Sequence, residues 1–400
     1  MYSSGMNSRS ISPNYSARVG GSGFNPIKNL RPESVIRALD GFNEGRLGEA
    51  GRLFESILQR DDTICCLNLK RKKSISRLDY EIAPLENSRR ARAHQRALLQ
   101  FYETLTTTAY TDANMRGGLR MLVAQMMDSA GMKYAVHKIS FERDGDTLRG
   151  IFQQYPLWLF ENTSGRLRML ERENQLTEGT NLDPNKWMIT CGDGLMLPSS
   201  IAYVFKHLPL RDWLAYCERN GMPGIKAKTN AYPDTPQWES AKEAVSQFGS
   251  EFYAVLSEGT DIEAIDVSSK SQLPYKDIVE RMDRMLCALW RGSDLSTISS
   301  NAQIGASVQG FESTLIEEDD AMNISETLNR NVDAKVVKIL FGDEKPLAKF
   351  RLIPPDYDEK NYELETIERL VKLGLKPDTV ELAKKFAFPV KSEETPDERE

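Results

Sequence analysis

The sequence predicts an α+β protein, and three observations carry the prediction: apolar residues recur at helical spacing, short alternating stretches are joined by turn residues, and the two patterns come in separate runs rather than as a βαβ alternation. The chain has 400 residues, 40% of them hydrophobic and 28% charged. Its mean hydropathy is −0.47. That leaves enough apolar material for a large core or two to three ordinary ones. No stretch reaches the roughly 18 uncharged apolar residues of a membrane-spanning helix, and the N-terminus lacks the apolar segment of a signal peptide, so neither secretion nor membrane insertion is expected.

Residues 1–30 are rich in Ser, Gly and Asn and carry no acidic residue. With no apolar period to offset the entropy of ordering, they read as a flexible arm. From Pro32 to Gln59, Leu39, Phe42, Leu47, Phe54 and Ile57 suit helical segments weakened by Gly41, Gly45 and Gly48. Asp61 or Asp62 caps a second helix with an Ile64, Leu67, Ile75, Leu78 stripe. Its cations, Lys70, Arg71, Lys72, Lys73 and Arg77, are expected mostly elsewhere. A short strand follows at Tyr80–Ala83, then helices near Ser88–Leu105 and Asp112–Asp128. Strands at Tyr134–Phe141 and Arg149–Phe152 flank Asp144-Gly145, which is hairpin chemistry. A second hairpin is expected from Leu157–Phe160 to Leu167–Leu170.

Pro198–Asn220 reads as a helix, or two helices kinked at Pro209. After it, strands at Ile225–Lys228, Ala254–Leu256 and Glu263–Ile265 surround a helix at Trp238–Phe248, forming a small α/β module. Ile278, Met282, Met285, Leu286 and Leu289 then recur at helical spacing over Tyr275–Trp290. Asp294–Gly310 carries Asp294 as its one charge, a length uncommon for a plain connection. From Phe311 to Phe341 the apolar residues fall at steps of four, one long helix ending at Gly342. A last short helix is expected at Asp378–Phe386, and 390–400 is an acidic tail.

The chemistry-bearing residues point away from catalysis. Five cysteines show no CxxC spacing, and His94, His137 and His207 belong to no zinc-ligand arrangement, so no metal or other cofactor is expected. No GxxxxGK[ST] cradles a phosphate. Cys191 and His207 have no spacing that makes them nucleophile and base; an inert thiol and a helix histidine are the expectation. Consecutive carboxylates Glu317 to Asp320 point in different directions on a helix and suit a solvated or inter-subunit face better than a metal. The Lys70–Lys73 run lacks interleaved aromatics, which favours a solvated or inter-subunit salt-bridge face over direct DNA contact. A total of 52 Lys and Arg against 58 Asp and Glu gives a net charge of −6, which argues against affinity resting on broad phosphate neutralisation.

The order of features resembles the portal proteins of tailed phages, most closely the Mu-like portal family. The resemblance lies in RDDTICCLNLKRKKSISRLDYEIAP (Arg60–Pro84), LRDWLAYCERNGMPGIKAK (Leu210–Lys228) and IVERMDRMLCALWRGSDLSTISSNAQIGASVQG (Ile278–Gly310). It covers roughly Pro32 to Pro389. One departure is Gly224-Ile225-Lys226-Ala227-Lys228, where the family carries a more Gly-rich basic stretch.

The resemblance implies a portal-type fold without catalysis that closes into a ring, commonly of twelve subunits, at one capsid vertex of the virion, assembled in the host cytoplasm. It divides the chain into a wing (31–197), two stem helices (198–221 and 271–293), a clip (222–270), a tunnel loop (294–310) and wing and crown helices (311–389). Its implied partners are copies of itself, capsid protein, double-stranded DNA in the channel, and the terminase large subunit and head-to-tail adaptor at the clip. Ser299, Ser300, Asn301 and Gln303 would face the DNA as short polar groups able to exchange hydrogen bonds with phosphate or water. Lys226 and Lys228, two apart on a strand, are the partner-facing candidates of the clip, and Trp213, Arg281 and Arg284 those between stems. A loop merely disordered in the isolated subunit and an ordinary exposed strand face remain the alternatives. A non-viral scaffold or adaptor is the competing function.

Overall fold

The computed structural model describes residues 31–145, 147–172, 175–220, 224–230, 232–247, 260–265, 275–292, 305–342 and 345–354, together with Ile367 and Lys372. The chain divides into Met1–Leu352 and Ile353–Glu400, and of the second unit only Ile353, Pro354, Ile367 and Lys372 are described. The expected arm, acidic tail, Asp378–Phe386 helix and Ala254–Leu256 strand lie outside the described residues.

Helices α1 (Pro32–Asn43), α2 (Leu47–Arg60) and α3 (Asp62–Ser76) open the described chain. Asp61 caps α3 by accepting from the Ile64 N–H at 2.8 Å, as Asp at that position should. Strand β1 (Asp79–Pro84) leads to α4 (Arg89–Thr104), capped by Ser88 on the Ala91 N–H. Next come β2 (Thr106–Ala109), β3 (Arg116–Gly117), α5 (Leu119–Met126) and α6 (Asp128–Met132). The helix expected from Asp112 therefore begins only at Leu119. Asp112 instead accepts from the Asn114 N–H in a local turn, and Arg116 and Gly117 are drawn into pairing with Thr108 and Thr107.

Strands β4 (Tyr134–Asp144) and β5 (Thr147–Tyr155) form the expected hairpin, closing at Asp144 opposite Thr147. With β9 (Trp187–Cys191) they make a five-stranded sheet of order β3-β2-β5-β4-β9, in which β2 runs parallel to β5. The second hairpin starts not with a strand but with a 3₁₀ turn at Leu157–Leu159; its pairing is short, β6 (Phe160–Glu161) to β7 (Arg168–Met169) to β8 (Thr180–Asn181). Glu161, buried among them, accepts from Arg168, Thr163 and the Gly179 N–H. Those bonds outweigh the cost of burying its charge.

Alternation along β4 sends Val136 into one core and Ile139 into another. Ile139 joins a first core with Leu98, Phe101, Leu122, Met126, Phe152, Val336 and Phe350; Val136 joins a second with Phe54, Ile64, Phe160, Met196, Leu286 and Trp290. Each fully buried Phe or Leu contributes about 1.5–3 kcal/mol. Helix α4 approaches β5 so closely that a Cβ on Gly150 would lie 2.5 Å from the Phe101 ring. His137 is fully buried, with Nε2 3.3 Å from Gln125 Oε1, and burial pushes its ring down to about 4.

Helix α7 (Met196–Asn220) passes through Pro209 as one helix. It is followed by β10 (Gly224–Thr229), α8 (Pro236–Gln247), β11 (Thr260–Ile265) and α9 (Tyr275–Arg291). Helix α10 (Gly305–Leu328) begins inside the expected 294–310 loop, so residues 305–310 are helical and the connection is shorter than predicted. Gly305 and Gly310 do not stop the helix, which buries Ala321 and Ile324 further along. Its path continues through a π turn at Asn329–Asp333 and α11 (Ala334–Phe341), ending at Gly342 with φ +74°.

Strand β12 (Ala348–Ile353) pairs with β1. Its other edge is satisfied by side chains of the long helix. Ser325 Oγ accepts from the Leu352 N–H, and the Asn329 amide both accepts from the Phe350 N–H and donates to its carbonyl. Asp333 Oδ2 also accepts from the Phe350 N–H, while Oδ1 accepts from Tyr102 Oη at 2.6 Å.

Candidate functional site

The pair α7 and α9 brackets the β10–β11 hairpin, and at its other end contributes Met196, Leu286 and Trp290 to the second core. Three contacts hold it. Trp290 Nε1 donates to Ser199 Oγ at 2.9 Å, Lys206 Nζ meets Asp283 Oδ1 at 2.8 Å, and Trp213 stacks on Tyr275 with ring centroids 6.5 Å apart. Residue numbers rise on α7 as they fall on α9, so the helices run antiparallel. The contacts recur every seven residues on α7, about 10.5 Å at 1.5 Å per residue, which keeps them on one face.

The central contact is a charge cluster. Lys206 is 4% exposed and reaches Asp61, Asp62 and Asp283 within 3.2 Å, and Thr63 Oγ1 at 3.0 Å. His207 Nε2 lies 2.9 Å from Asp61 Oδ2. Burial disfavours the ammonium, yet Asp283, Asp61 and Asp62 hold it above its ordinary value. Burial likewise works against the Asp61 carboxylate, but His207, the Ile64 N–H and Lys206 keep it below the usual range. The start of α3 is thereby bound to the middle of both paired helices.

One face of α3 does the same for the next element. Arg71 makes a two-pronged bond to Asp320 of α10, Nε to Oδ2 at 2.7 Å and Nη2 to Oδ1 at 2.9 Å, and also reaches Asp193 at 3.0 Å. Desolvation opposes the guanidinium charge, and these two carboxylates outweigh it. Lys72 pairs with Asp128 at 2.5 Å. This corrects the reading of the basic run as lying away from the core, since Arg71 is 8% exposed. At Glu317 and Asp320 it also corrects the reading of that run as a solvated or inter-subunit face, whereas Glu318 and Asp319 are exposed. Asp320 is buried on Arg71, and Glu317 lies 3.9 Å from Arg291. Ser313 Oγ donates to the Arg291 carbonyl, so the helices on either side of residues 293–304 are fastened to each other.

Ser299, Ser300, Asn301 and Gln303 lie outside the described residues. Lys226 and Lys228 sit on β10, in register with Glu263 and Asp261 of β11. Trp213 stacks within its own chain, and Arg284 pairs with Glu280 one turn away at 2.7 Å. Arg281 lies beside Arg284 and Glu280 on a shallow surface depression of α9. Sequence reasoning missed Lys206 and Arg71. The one available signal was their position, a lysine inside the apolar run IAYVFKHL and an arginine four residues beyond Leu67 on the buried face of α3. Cys191 and His207 are not brought into partnership: His207 is engaged by Asp61, and burial pushes the Cys191 thiol up rather than toward thiolate. Among the described residues no group of three or more His, Cys, Asp or Glu is placed to hold a metal ion.

A groove of about 510 Å³ opens between α3 and α9 beside Trp213, lined by Cys66, Leu67, Val279, Asp283 and Cys287 among others.

Comparison with known proteins agrees with this architecture. A relative, Mu-like prophage FluMu protein gp29 of Haemophilus influenzae (strain ATCC 51907 / DSM 11121 / KW20 / Rd), is 18% identical over 373 residues, covering 88% of this chain and 69% of its own. Among solved structures, a chain from the neck of an empty GTA particle computed with C6 symmetry matches with TM-score 0.53 at 10% identity, over 96% of this chain and all of its own. A chain from the neck of a native GTA particle computed with C12 symmetry matches with TM-score 0.50 at 9% identity, over 91% and 96%. A HK97 family phage portal protein from Corynebacterium diphtheriae aligns over 73% and 93% with TM-score 0.43 at 12% identity. The family model described as the portal protein of Mu bacteriophage matches residues 51–388, which contain the paired helices, the hairpin between them and the long helix that follows; the chain belongs to that portal family.

Proposed function

We propose that this portal protein forms a ring at one capsid vertex, through which viral double-stranded DNA is packaged and later ejected. In this reading 198–221 and 271–293 are the stem, 222–270 the clip that docks the terminase large subunit and the head-to-tail adaptor, and 294–310 the segment facing the DNA. The wing and crown, 31–197 and 311–389, meet the capsid protein. The chain contributes no catalysis, and ATP hydrolysis belongs to the terminase.

The observation that carries the reading is the antiparallel helix pair. It is held by three evenly spaced contacts and pinned to the body through Lys206, and it carries a separate hairpin at one end while leading into residues 293–304 at the other. A ring subunit needs such a strut, because a partner pulling on the hairpin must not unfold the body behind it. The similar GTA neck chains, from particles treated with six- and twelve-fold symmetry, support a ring. The net charge of −6 supports a channel that lets DNA slide, since dense phosphate contacts would hold it by counterion release.

Native mass spectrometry and electron microscopy of the purified protein test the assembly, with rings expected and a monomer under every condition the contrary result. Replacing Ser299, Ser300 and Asn301 by Lys is expected to slow packaging and leave rings intact. Unchanged packaging removes that segment from the DNA path.

A further inference from the structure

The two sides of the α7–α9 pair differ in a way that neither helix alone requires. On α9, the groove is lined by Lys276, Val279, Glu280, Asp283 and Cys287. Ile278, Met282, Met285 and Leu289 form a second set at steps of four, three and four. At 3.6 residues per turn the centres of the two sets lie roughly 145° apart around the helix. On α7, Ile201, Phe205 and Leu208 are displaced in the same way from the face that carries Lys206 and Trp213. Because the helices are antiparallel, both apolar sets come to one side of the pair and the groove to the other.

Among the described residues the middle of this apolar side is uncovered, while Met282 also packs against the second core. Phe205 is 58% exposed, Met285 52% and Ile201 50%. Contiguous exposed apolar surface of this kind marks an interaction site. The groove opposite is wide enough for aromatic or Met side chains and is rimmed by charge, with Asp62 standing out at its edge.

We infer that the apolar side of one subunit, centred on Phe205 and Met285, seats in the Cys66–Trp213 groove of a second copy of the same chain. This rests on the ring assembly proposed above and assigns its contact. The argument for a second copy is that one chain carries both halves on opposite sides of a single rigid strut. Contact between unlike surfaces of identical chains propagates head to tail and closes into a ring when the rotation permits; a like-to-like contact would stop at a dimer and leave the groove empty. Lys206, buried between the two sides, fixes their relative position.

Cys66 is exposed and lies in the groove, which makes it the probe. In full-length chain with Cys65, Cys191 and Cys217 changed to Ser, Phe205→Cys is treated with a short bismaleimide and run on a denaturing gel. A ladder from dimer upward is expected, absent without the Phe205 change and absent when Cys66 is also Ser. Ile201→Cys, one turn away, repeats the test should Phe205→Cys not assemble. Rings by microscopy with no ladder in either variant overturn the contact and leave the portal assembly standing. A dimer that persists without Cys66 also overturns it, since the apolar sides then meet each other. A chain that forms no ring in any variant or in the parent overturns both.

Discussion

Asp61 and Asp333 are both buried aspartates, 1% and 0% exposed, and their carboxyls move in opposite directions. For Asp61 the penalty of burial is outweighed by His207, a backbone N–H and Lys206, and the carboxyl is held low. For Asp333 burial dominates; Tyr102 and the Phe350 N–H offset part of it, and the carboxyl rises to about 6. The difference is the nature of the donors. A cationic partner repays desolvation of an anion where neutral dipoles repay only a share. The base of the helix pair is therefore a region stabilised by charge, whereas the edge of β12 is a region where charge is tolerated at a cost.

The strongest way to break this contrast is Lys206→Met, which keeps the volume and removes the cation. Asp61 and Asp283 are left without their shared partner, and a loss of roughly 3–5 kcal/mol at pH 7 is expected in denaturant unfolding, shrinking as acid protonates the carboxylates. An unchanged midpoint would show that the cluster adds nothing to stability.

A medium effect, of the opposite sign, is expected at the other aspartate. A carboxyl whose folded value lies near 6 against an ordinary 3.8 binds its proton more tightly when folded. Its contribution is fully present below about pH 4 and is lost as pH rises through 6, on the order of 3 kcal/mol from the shift alone. Asp333→Asn removes that loss: its carbonyl can accept from the Phe350 N–H while its amide donates to the Tyr102 oxygen. The variant is expected to gain roughly 1–3 kcal/mol over the parent at pH 8 and little at pH 4.5. His137 titrates in both proteins and drops out of the comparison. An equal difference at the two pH values would refute the assignment.

The smallest effect sharpens the boundary between the regions. Arg284→Ala breaks a half-exposed pair with Glu280 and should change stability by only about 0.3–0.5 kcal/mol, an effect that fades in high salt. A loss above 2 kcal/mol in thermal melts of the assembled protein, absent from the monomer, would place Arg284 in a contact between subunits.

The helices were legible because their apolar residues repeat over many turns, as in α4, α9 and the long helix through Val336. The strands that escaped were those whose reason for existing is elsewhere in the chain. Thr106–Ala109 has four residues and no alternation of its own; it is a strand because Ile151–Gln154 lies alongside. Ala348–Ile353 does alternate, but its partner, β1, is far upstream and its second edge is closed by a helix. The site divides the same way. A helix pair flanking a small module could be read from pattern, whereas Trp213 and Arg284, expected between stems, make their visible contacts with Tyr275 and Glu280 of the same chain. Lys206 and Arg71 could not, because a cation on an amphipathic helix is assigned to water by default, and only the folded arrangement of Asp61, Asp283 and Asp320 draws them inward.

The pairing of β1 with β12 sets an order of events during synthesis. One half of that small sheet leaves the ribosome early and waits for the other until most of the chain has been made, so closure of the body is a late step and a slow one. The strut helices and the hairpin are translated before it. A truncated nascent product would thus carry the exposed apolar residues of the strut, Phe205 and Met285 among them, before Phe350 and Leu352 are made to complete the body behind them.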